Sequence, residues 1–296
     1  TIYDNTEYNS NGAKKPSDSE NYANIEACLK AYTSNYASSS YGDTNSSFTE
    51  QYQAMLKSVY TNGGFWIGRY EAGLEEGKDP RTSYVAISAS DKAVIKPNMY
   101  PYNYVTRDEA QTLAQKMDYG DCKGSLIFGI QWDLALKYIE EKTVETVEEA
   151  NKDKVRTDIK RKLTSKSTTI GNYRNSAFIL NRGKFAQYNA LSKWYNFNSE
   201  EKPTLVTGSK KKEQSSNSNA ILLTTGATEV TNLQNIYDIA GNVWEWTLEY
   251  TSNSSIPCAI RGGVYDYFGG YYPAVRRDSN GRAVCYYNFG FRGALY

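Results

Sequence analysis

Histidine is absent from this sequence, and its absence restricts the chemistry that the side chains could carry. Without histidine there is no Ser-His-Asp or Cys-His catalytic group, no His-ligated zinc and no general base of the usual near-neutral kind. The cysteines Cys28, Cys122, Cys258 and Cys285 are scattered, which gives no zinc-ribbon or thioredoxin-type motif. A bridge between Cys258 and Cys285 and free buried thiols are both open, and free thiols are favoured.

A compact turn motif lies in the stretch Asn235–Thr247, which reads Asn-Ile-Tyr-Asp-Ile-Ala-Gly-Asn-Val-Trp-Glu-Trp-Thr. The Gly-Asn pair at 241–242 predicts a tight turn. Trp244 and Trp246 then fall on one side of an extended segment, where they could anchor a core. This motif is expected to support whatever the C-terminus presents.

The C-terminal segment Arg261–Tyr296 has an unusual composition. It contains no Lys, Glu, Gln, Trp or Met, and it is crowded with Tyr, Gly, Asp, Asn and Arg. Codons that end in C or T encode none of the five missing types but do encode the abundant ones. Tyrosine provides a large, rigid contact area with a polar tip at low entropic cost, which favours recognition. The chain as a whole has 27 Tyr against 9 Phe.

Hydrophobic periodicity predicts the elements that must hold these segments. Thr106 and Glu109 form a capping box before a helix, and Asn62 to Gly64 should end another. Helices are expected early and short strands late, which indicates an α+β fold. The predicted helices are 21–37, 48–60, 106–117 and 130–141, and the predicted strands are 65–71 and 84–88. The charged stretch 142–163 is expected to form an exposed helical extension or lobe, 208–219 a surface loop and 1–20 a loose lead-in.

The overall composition restricts the partners. The net charge is +1, with 23% charged and 40% hydrophobic residues, which gives no electrostatic footprint for nucleic acid. No apolar run approaches the roughly 20 residues that span a bilayer, so no membrane insertion is expected. The start of the chain has no signal-peptide pattern, and the missing initiator Met predicts a processed beginning.

Six motifs follow one another along the chain: Phe65-Trp-Ile-Gly-Arg-Tyr-Glu71, Thr106-Arg-Asp-Glu-Ala110, the helix around Trp132, Ile236 to Trp246, Arg261-Gly-Gly263 and Gly290-Phe-Arg292. In this order and spacing they resemble the formylglycine-generating-enzyme (sulfatase-modifying factor) family. The resemblance spans about residues 60–296 and implies that family's version of the C-type lectin fold. We expect a domain at 61–296 with a ligand-binding region at about 261–296, and a helical segment at 1–60 packed on it or linked to it.

A calcium site is one interpretation of the acids around the Gly-Asn turn. Asp238 and Glu245 flank that turn, where carboxylate and backbone oxygens could hold Ca²⁺. The resemblance implies a structural calcium ion bound by the side chains of Asp238 and Glu245 and the carbonyls of Gly241 and Val243. A polar turn without an ion is equally open.

Catalysis of the parent family is not expected. The family's activity depends on two cysteines, five positions apart, that bind copper, and the resemblance places them at Tyr267 and Tyr272. A phenol does not replace a soft thiolate ligand for Cu(I). We therefore expect no copper and no enzyme.

The C-terminus also resembles variable proteins diversified by retroelements, which display randomised residues on a C-type lectin domain. The resemblance implies a ligand-binding surface that contacts a protein or glycan target as an antibody paratope does. We call its predicted members the contact set. The contact set is Val264, Asp266, Tyr267, Phe268, Tyr271, Tyr272, Arg277, Asp278, Ser279, Asn280, Arg282, Tyr286, Tyr287 and Asn288.

Two alternatives to a recognition protein remain open. One is a copper oxidase or related enzyme of the parent family, and the other is an adhesin that binds carbohydrate through calcium and stacked tyrosines.

The retroelement resemblance implies display on a phage tail or a bacterial cell surface. The glycines, Pro273, Ala274, Arg276 and Gly290–Arg292 are expected to hold the backbone.

Overall fold

The computed structural model describes residues 23–117, 120–180, 182–188, 190–198, 206–207, 211–212 and 220–296. For 206–207 and 211–212 it describes the backbone only. The fold is α+β, as the order of predicted elements indicated. The helices are α1 Ala23–Tyr32, α2 Thr49–Asn62, α3 Arg107–Gln115, α4 Gly129–Glu145 and α5 Glu149–Thr164. The strands are β1 Trp66–Ile67, β2 Gly73–Leu74, β3 Ala93–Val94, β4 Gly124–Leu126, β5 Lys184–Gln187, β6 Trp194–Asn196, β7 Val206–Thr207, β8 Lys211–Lys212, β9 Ile221–Leu223, β10 Trp244–Tyr250, β11 Cys258–Arg261, β12 Arg277–Asn280, β13 Phe289–Phe291 and β14 Gly293–Leu295.

Local signals place the early helices as predicted. Helix α3 begins with a capping box in which Thr106 accepts from the Glu109 N–H and the Glu109 carboxylate accepts from the Thr106 N–H. Helix α2 ends at Gly63, which has φ +76° and donates its N–H to the Val59 carbonyl. Glycine takes this left-handed conformation without the steric cost that other residues incur.

The charged stretch 142–163, predicted as an exposed helical extension or lobe, consists of two helical elements. Helix α4 continues to Glu145, and α5 is a separate helix that packs against it. Ile159 and Leu163 of α5 are buried in the core that surrounds Trp132. Arg156 also joins the helices, donating to Glu140 at 2.9 Å and to Glu141 at 2.5 Å.

The sheet that carries the C-terminal segment has the order β12-β11-β10-β13. Its central strand β10 pairs antiparallel with β11 and parallel with β13, so Trp244 lies beside Phe289 and Trp246 beside Phe291. The parallel pairing brings the end of the chain directly against the turn motif. The Trp246 ring is fully buried and donates from Nε1 to the Val105 carbonyl at 2.9 Å.

Two predicted strands differ from the structure. The strand expected at 65–71 is only β1, which pairs with β14 through Trp66 with Leu295 and Ile67 with Ala294. Residues 84–88 form no strand. The Ile87 N–H, which would pair with a neighbouring strand, donates to the carboxylate of Glu109 at 3.1 Å. The side chain that caps α3 therefore also fixes this loop.

The described part of residues 23–60 packs on the same core as the C-terminal strands. Leu29 of α1 and Met55 of α2 are buried in one cluster with Trp246. The Tyr36 hydroxyl donates to Glu140 at 2.7 Å, and Gly42 exchanges backbone hydrogen bonds with Tyr250 at 2.8 Å.

None of the described helices is long and apolar enough to cross a membrane. The predicted lead-in at 1–20 lies outside the described residues. Of the predicted loop 208–219, only Lys211–Lys212 is described, as a backbone strand paired with Val206–Thr207.

Candidate functional site

The Gly-Asn turn is a crowded junction of backbones. Gly241 and Asn242 both have positive φ, +76° and +60°. A Cβ on Gly241 would lie 2.2 Å from the Asn172 carbonyl oxygen, so only glycine fits. The Asn242 amide oxygen accepts from Asn172 Nδ2 at 2.9 Å and from the Leu223 N–H at 3.1 Å, while its Nδ2 donates to Glu71 at 2.6 Å. One buried side chain thus ties the turn to three distant segments.

Glu245 is paired with Arg292 from the closing Gly-Phe-Arg. Arg292 donates from Nε to Oε2 at 3.0 Å and from Nη2 to Oε1 at 2.7 Å, and both side chains are buried. Arg292 also donates to the carbonyls of Gly68 and Tyr237. A bidentate pair of this kind fixes geometry as well as balancing charge, so it locks the C-terminus onto β10.

The donor set implied for calcium does not fit an ion in this structure. Both oxygens of Glu245 face Arg292, and Asp238 accepts the Gly226 N–H at 2.7 Å through Oδ2. Among the described residues, the buried Oδ1 of Asp238 is the one carboxylate oxygen of Asp238 and Glu245 without a hydrogen-bond partner. Within the ranges the structure describes, no three His, Cys, Asp or Glu side chains are grouped to hold a metal. Calcium binding at Asp238, Gly241, Val243 and Glu245 therefore stays a prediction, with no support from the geometry.

The excess of buried carboxylates around Arg292 alters their titration. Burial raises the pKa of Glu71 well above its usual value, and Asp238 and Glu245 raise it further while Arg292 lowers it. Burial also raises the pKa of Asp238 and of Glu245, against the opposing effect of hydrogen bonds and Arg292. Three carboxylates share one guanidinium, so this cluster is costly in its fully charged form.

A second buried cluster, which we call the ionic quartet, lies under the C-terminal strands: Arg261, Asp133, Glu249 and Arg277. Arg261 donates to Asp133 at 2.7 Å and to Glu249 at 3.0 Å. Arg277 donates to the other oxygen of each acid, at 2.7 Å and 2.6 Å, and to the Tyr36 carbonyl at 2.8 Å. Two cations and two anions balance, although burial raises the pKa of Asp133 against the pull of Arg261 and Arg277.

This quartet corrects one predicted contact. Arg277 belongs to the contact set by sequence, but its side chain is only 7% exposed and all its charged partners are buried acids. Its role in the described structure is to hold β12 against β10 and α4. We therefore remove Arg277 from the surface available to a ligand.

Three tyrosines of the contact set project from the surface. Tyr267, Tyr271 and Tyr286 are 45%, 74% and 54% exposed. Tyr267 meets the Tyr272 ring edge-on at 4.9 Å, and Tyr272 meets Trp244 edge-on at 5.4 Å. Tyr286 meets the buried Phe289 ring edge-on at 5.3 Å, so the rings of Tyr267 and Tyr286 both continue into the buried aromatic core.

A cavity of about 310 Å³ opens among these rings. Its floor is framework, formed by Trp244, Ile260 and Phe289, and its remaining seven lining residues all belong to the contact set. They are Tyr267, Tyr272, Asp278, Asn280, Tyr286, Tyr287 and Asn288. The backbone of the cavity residue Tyr272 packs directly against Gly263. Gly263 has φ +80°, and a Cβ there would lie 2.1 Å from the Tyr272 carbonyl oxygen.

Other members of the contact set are buried. Val264 is 0% exposed and lies in the main core, so it is a framework residue and not a contact. Asp266 is 5% exposed and accepts from the Tyr287 hydroxyl at 2.7 Å and from Asn288 Nδ2 at 3.3 Å. Burial raises the pKa of Asp266, and those hydrogen bonds act in the opposite direction. Asp266 supports two cavity residues from below.

Phe268, Ser279 and Arg282 do not line the cavity, although each lies within two positions of a residue that does. Phe268 is half-buried under Arg174, whose guanidinium lies 4.0 Å from the ring centre. Arg282 is exposed and donates to the Tyr250 hydroxyl at 3.0 Å. Ser279 is half-buried on β12, where its N–H donates to Asp278 at 2.8 Å.

The sequence interpretation missed Arg276 and Arg174. Arg276 is exposed and lies over the Tyr272 ring at 5.3 Å, instead of holding the backbone. Alternation along β12 could have found it, because Arg276, Asp278 and Asn280 have the same parity and Arg277 has the opposite one. Arg174 lies far away in sequence and gave no signal.

The four cysteines are free thiols. Cys258 is buried, and burial raises the pKa of its thiol; Cys285 is partly exposed. Of the two alternatives for Cys258 and Cys285, the described structure has the unbridged one.

No protein-family model matches this sequence, and no curated protein matches it. Among solved structures, the chain is similar to Treponema denticola variable protein 1. The two are 14% identical, the match covers 78% of this chain and 84% of that chain, and the TM-score is 0.35. A TM-score this low does not establish a shared fold, so no function is inferred from it. The resemblance to the formylglycine-generating-enzyme family stays a prediction.

Proposed function

We propose that this protein is a non-enzymatic recognition protein that binds a target through the surface around the C-terminal cavity, on a C-type lectin fold. The observation that carries the proposal is the cavity itself, whose rim consists of predicted contact residues while its floor is framework. Tyr267 and Tyr286 line this cavity, Tyr271 precedes the cavity residue Tyr272, and all three rings are exposed, as anchoring side chains of a paratope are.

The arrangement of Tyr267 and Tyr272 supports binding over catalysis. The two positions at which the resemblance implies copper-binding cysteines hold phenol rings in edge-on contact at 4.9 Å. Phenols at these positions offer contact area and hydrogen bonds but no soft ligand. The site we propose is displayed outward on a phage tail or a bacterial cell surface.

A binding measurement tests the proposal. The full chain is screened against purified bacterial surface proteins and glycans, and any hit is re-measured with a Tyr267→Ser, Tyr271→Ser, Tyr286→Ser variant. Loss of such anchors should weaken binding by at least about thirtyfold, since a hot spot contributes roughly 2 kcal/mol or more. The control changes Trp66 and Tyr138, which are 73% and 45% exposed beside a different cavity, to Ser. Equal binding by all variants would refute the proposed surface.

Diversification is tested separately on the DNA. If the C-terminal codons were randomised at adenines, a near-copy of the 3′ coding sequence that differs mainly at adenines should lie beside a reverse transcriptase gene. A complete locus without such a copy would remove the diversification part of the proposal and leave the binding part intact.

A further inference from the structure

The charges around the proposed surface are unequal in a way that indicates a partner. Between Val264 and Asn288 the only acids are Asp266 and Asp278, and there is no Glu or Lys. Asp266 is buried beneath Tyr287 and Asn288. Asp278 lines the cavity, and its Oδ1 already accepts the Ser279 N–H. The surface thus offers little negative charge of its own.

Three guanidiniums lie close to the same surface without a direct ion pair; Asp266 acts on Arg174 and Asp108 acts on Arg282 only over a longer distance. Within the described ranges, Arg174, Arg276 and Arg282 form no ion pair, whereas Arg261 and Arg277 are both paired with Asp133 and Glu249. Each of the three lies over an aromatic ring: Arg174 over Phe268 at 4.0 Å, Arg276 over Tyr272 at 5.3 Å, and Arg282 over Tyr250 at 5.9 Å. The Nε of Arg174 is also buried without a hydrogen-bond partner.

Stacking on a ring restricts a guanidinium while leaving much of its planar donor edge available. Ordering the side chain before binding reduces the entropy lost on binding. The fork of donors matches a carboxylate in a bidentate geometry. Exposed Lys166, which follows Ser165 near the Gly270 end of the surface, adds a further cation. The whole chain carries only +1, so this positive rim is a local feature.

We infer that the partner is a protein with an acidic face, whose Asp and Glu carboxylates meet Arg174, Arg276 and Arg282 around a side chain seated in the cavity. A folded protein is favoured over a glycan because three separately fixed cations require carboxylates at fixed separations. This inference rests on the proposed function, since it assigns the chemistry of the partner that the tyrosine surface binds.

The test uses a displayed library of a small folded scaffold with randomised loops, selected on the full chain. Clones that bind through the proposed surface are identified because they lose binding to the Tyr267→Ser, Tyr271→Ser, Tyr286→Ser variant. Their loops should be enriched in Asp and Glu over the unselected library. Their affinity should fall at least about tenfold for an Arg174→Gln, Arg276→Gln, Arg282→Gln variant, and it should fall with added salt.

A control variant separates local from total charge. Lys57, Lys78 and Lys92 are exposed and lie outside the contact set and the cavity lining, and changing all three to Gln removes the same charge. Affinity for this control should stay within about twofold. Tyrosine-dependent clones without acidic enrichment, or with unchanged affinity for the arginine variant, would overturn the acidic partner and leave the proposed function standing. Absence of any tyrosine-dependent clone would count against the proposed function itself. If free polyglucuronate displaced the clones, a glycan would supply the carboxylates, and the inference of a protein partner would be overturned.

Discussion

Arg277 donates from Nε to Oε1 of Glu249 at 2.6 Å, and this contact joins β12 to β10 across β11. The pair makes a residue of the C-terminal segment part of the framework. Because Asp133 and Arg261 complete the quartet, each charge in it has an opposite charge within 3.0 Å. A buried network of this kind is sensitive to the loss of any one member.

Arg277→Ala should therefore destabilise the fold by about 3–5 kcal/mol, because it leaves Asp133 and Glu249 buried with one cation between them. Arg276→Ala, the neighbouring exposed arginine, should change the free energy of unfolding by no more than about 0.5 kcal/mol. Urea unfolding followed by far-ultraviolet circular dichroism measures both. Similar effects of the two substitutions would contradict the assignment of Arg277 to the framework.

The exposed tyrosines should be dispensable for folding. Tyr271→Ser, at 74% exposure, should leave the melting temperature within a few degrees of the parent. Tyr265→Ala, at a fully buried position of the same C-terminal segment, should cost about 3–5 kcal/mol, the range for removing a large aromatic side chain from a core. Calorimetry on both variants checks this, and a large loss from Tyr271→Ser would show that its ring is structural.

The buried carboxylates predict a pH dependence with a definite sign. The folded-state pKa values of Glu71, Asp238 and Glu245 are raised, so the folded state binds more protons than the unfolded state above pH 4 or so. The contribution of this cluster to stability is therefore present below the unfolded pKa values and is lost as the pH rises through the folded ones.

Asp238→Asn isolates the contribution of Asp238 to this pH dependence of stability. Asparagine can keep the hydrogen bond from Gly226 and tolerates the φ of +59° at this position. The variant should become more stable relative to the parent as the pH rises from about 4 to 7, by about 1 kcal/mol or more for each unit of pKa shift removed. Denaturant titrations at several pH values measure the difference, and a constant difference would contradict the assigned shift.

The geometry around Glu245 gives a separate prediction about calcium binding. Because Arg292 already engages both oxygens of Glu245, excess calcium chloride should leave the melting temperature unchanged relative to EDTA. A ligand that binds only the folded state raises that temperature. A calcium-dependent increase that disappears in Asp238→Asn would restore the predicted site.

Sequence reasoning succeeded where the determinants are local. The capping box of Thr106 and Glu109 lies within one turn, and Gly63 ends α2 through its own backbone conformation. The tight turn at Gly241 followed from residue type, and its positive φ confirms it. In each case the residues that decide the structure are neighbours in the chain.

Sequence reasoning failed where a residue far away in the chain determines the local structure. Arg277 looks like a surface residue until Asp133, 144 positions earlier, is placed beside it. Residues 84–88 have strand-forming side chains, but the Glu109 carboxylate takes the Ile87 N–H that a strand would have used. Val264 carries the same compositional signature as its exposed neighbours, and composition does not report which way a side chain points.

The pairing of β1 with β14 has a consequence for where this protein can be joined to others. The final strand is the middle member of its sheet, with β1 on one side and β4 on the other, and Leu295 lies opposite both Trp66 and Gly124. A fusion tag or display anchor attached after Tyr296 must therefore leave directly from a paired strand. Attachments at that end need a spacer, and an affinity label there should be tested for its effect on unfolding before any binding constant is interpreted.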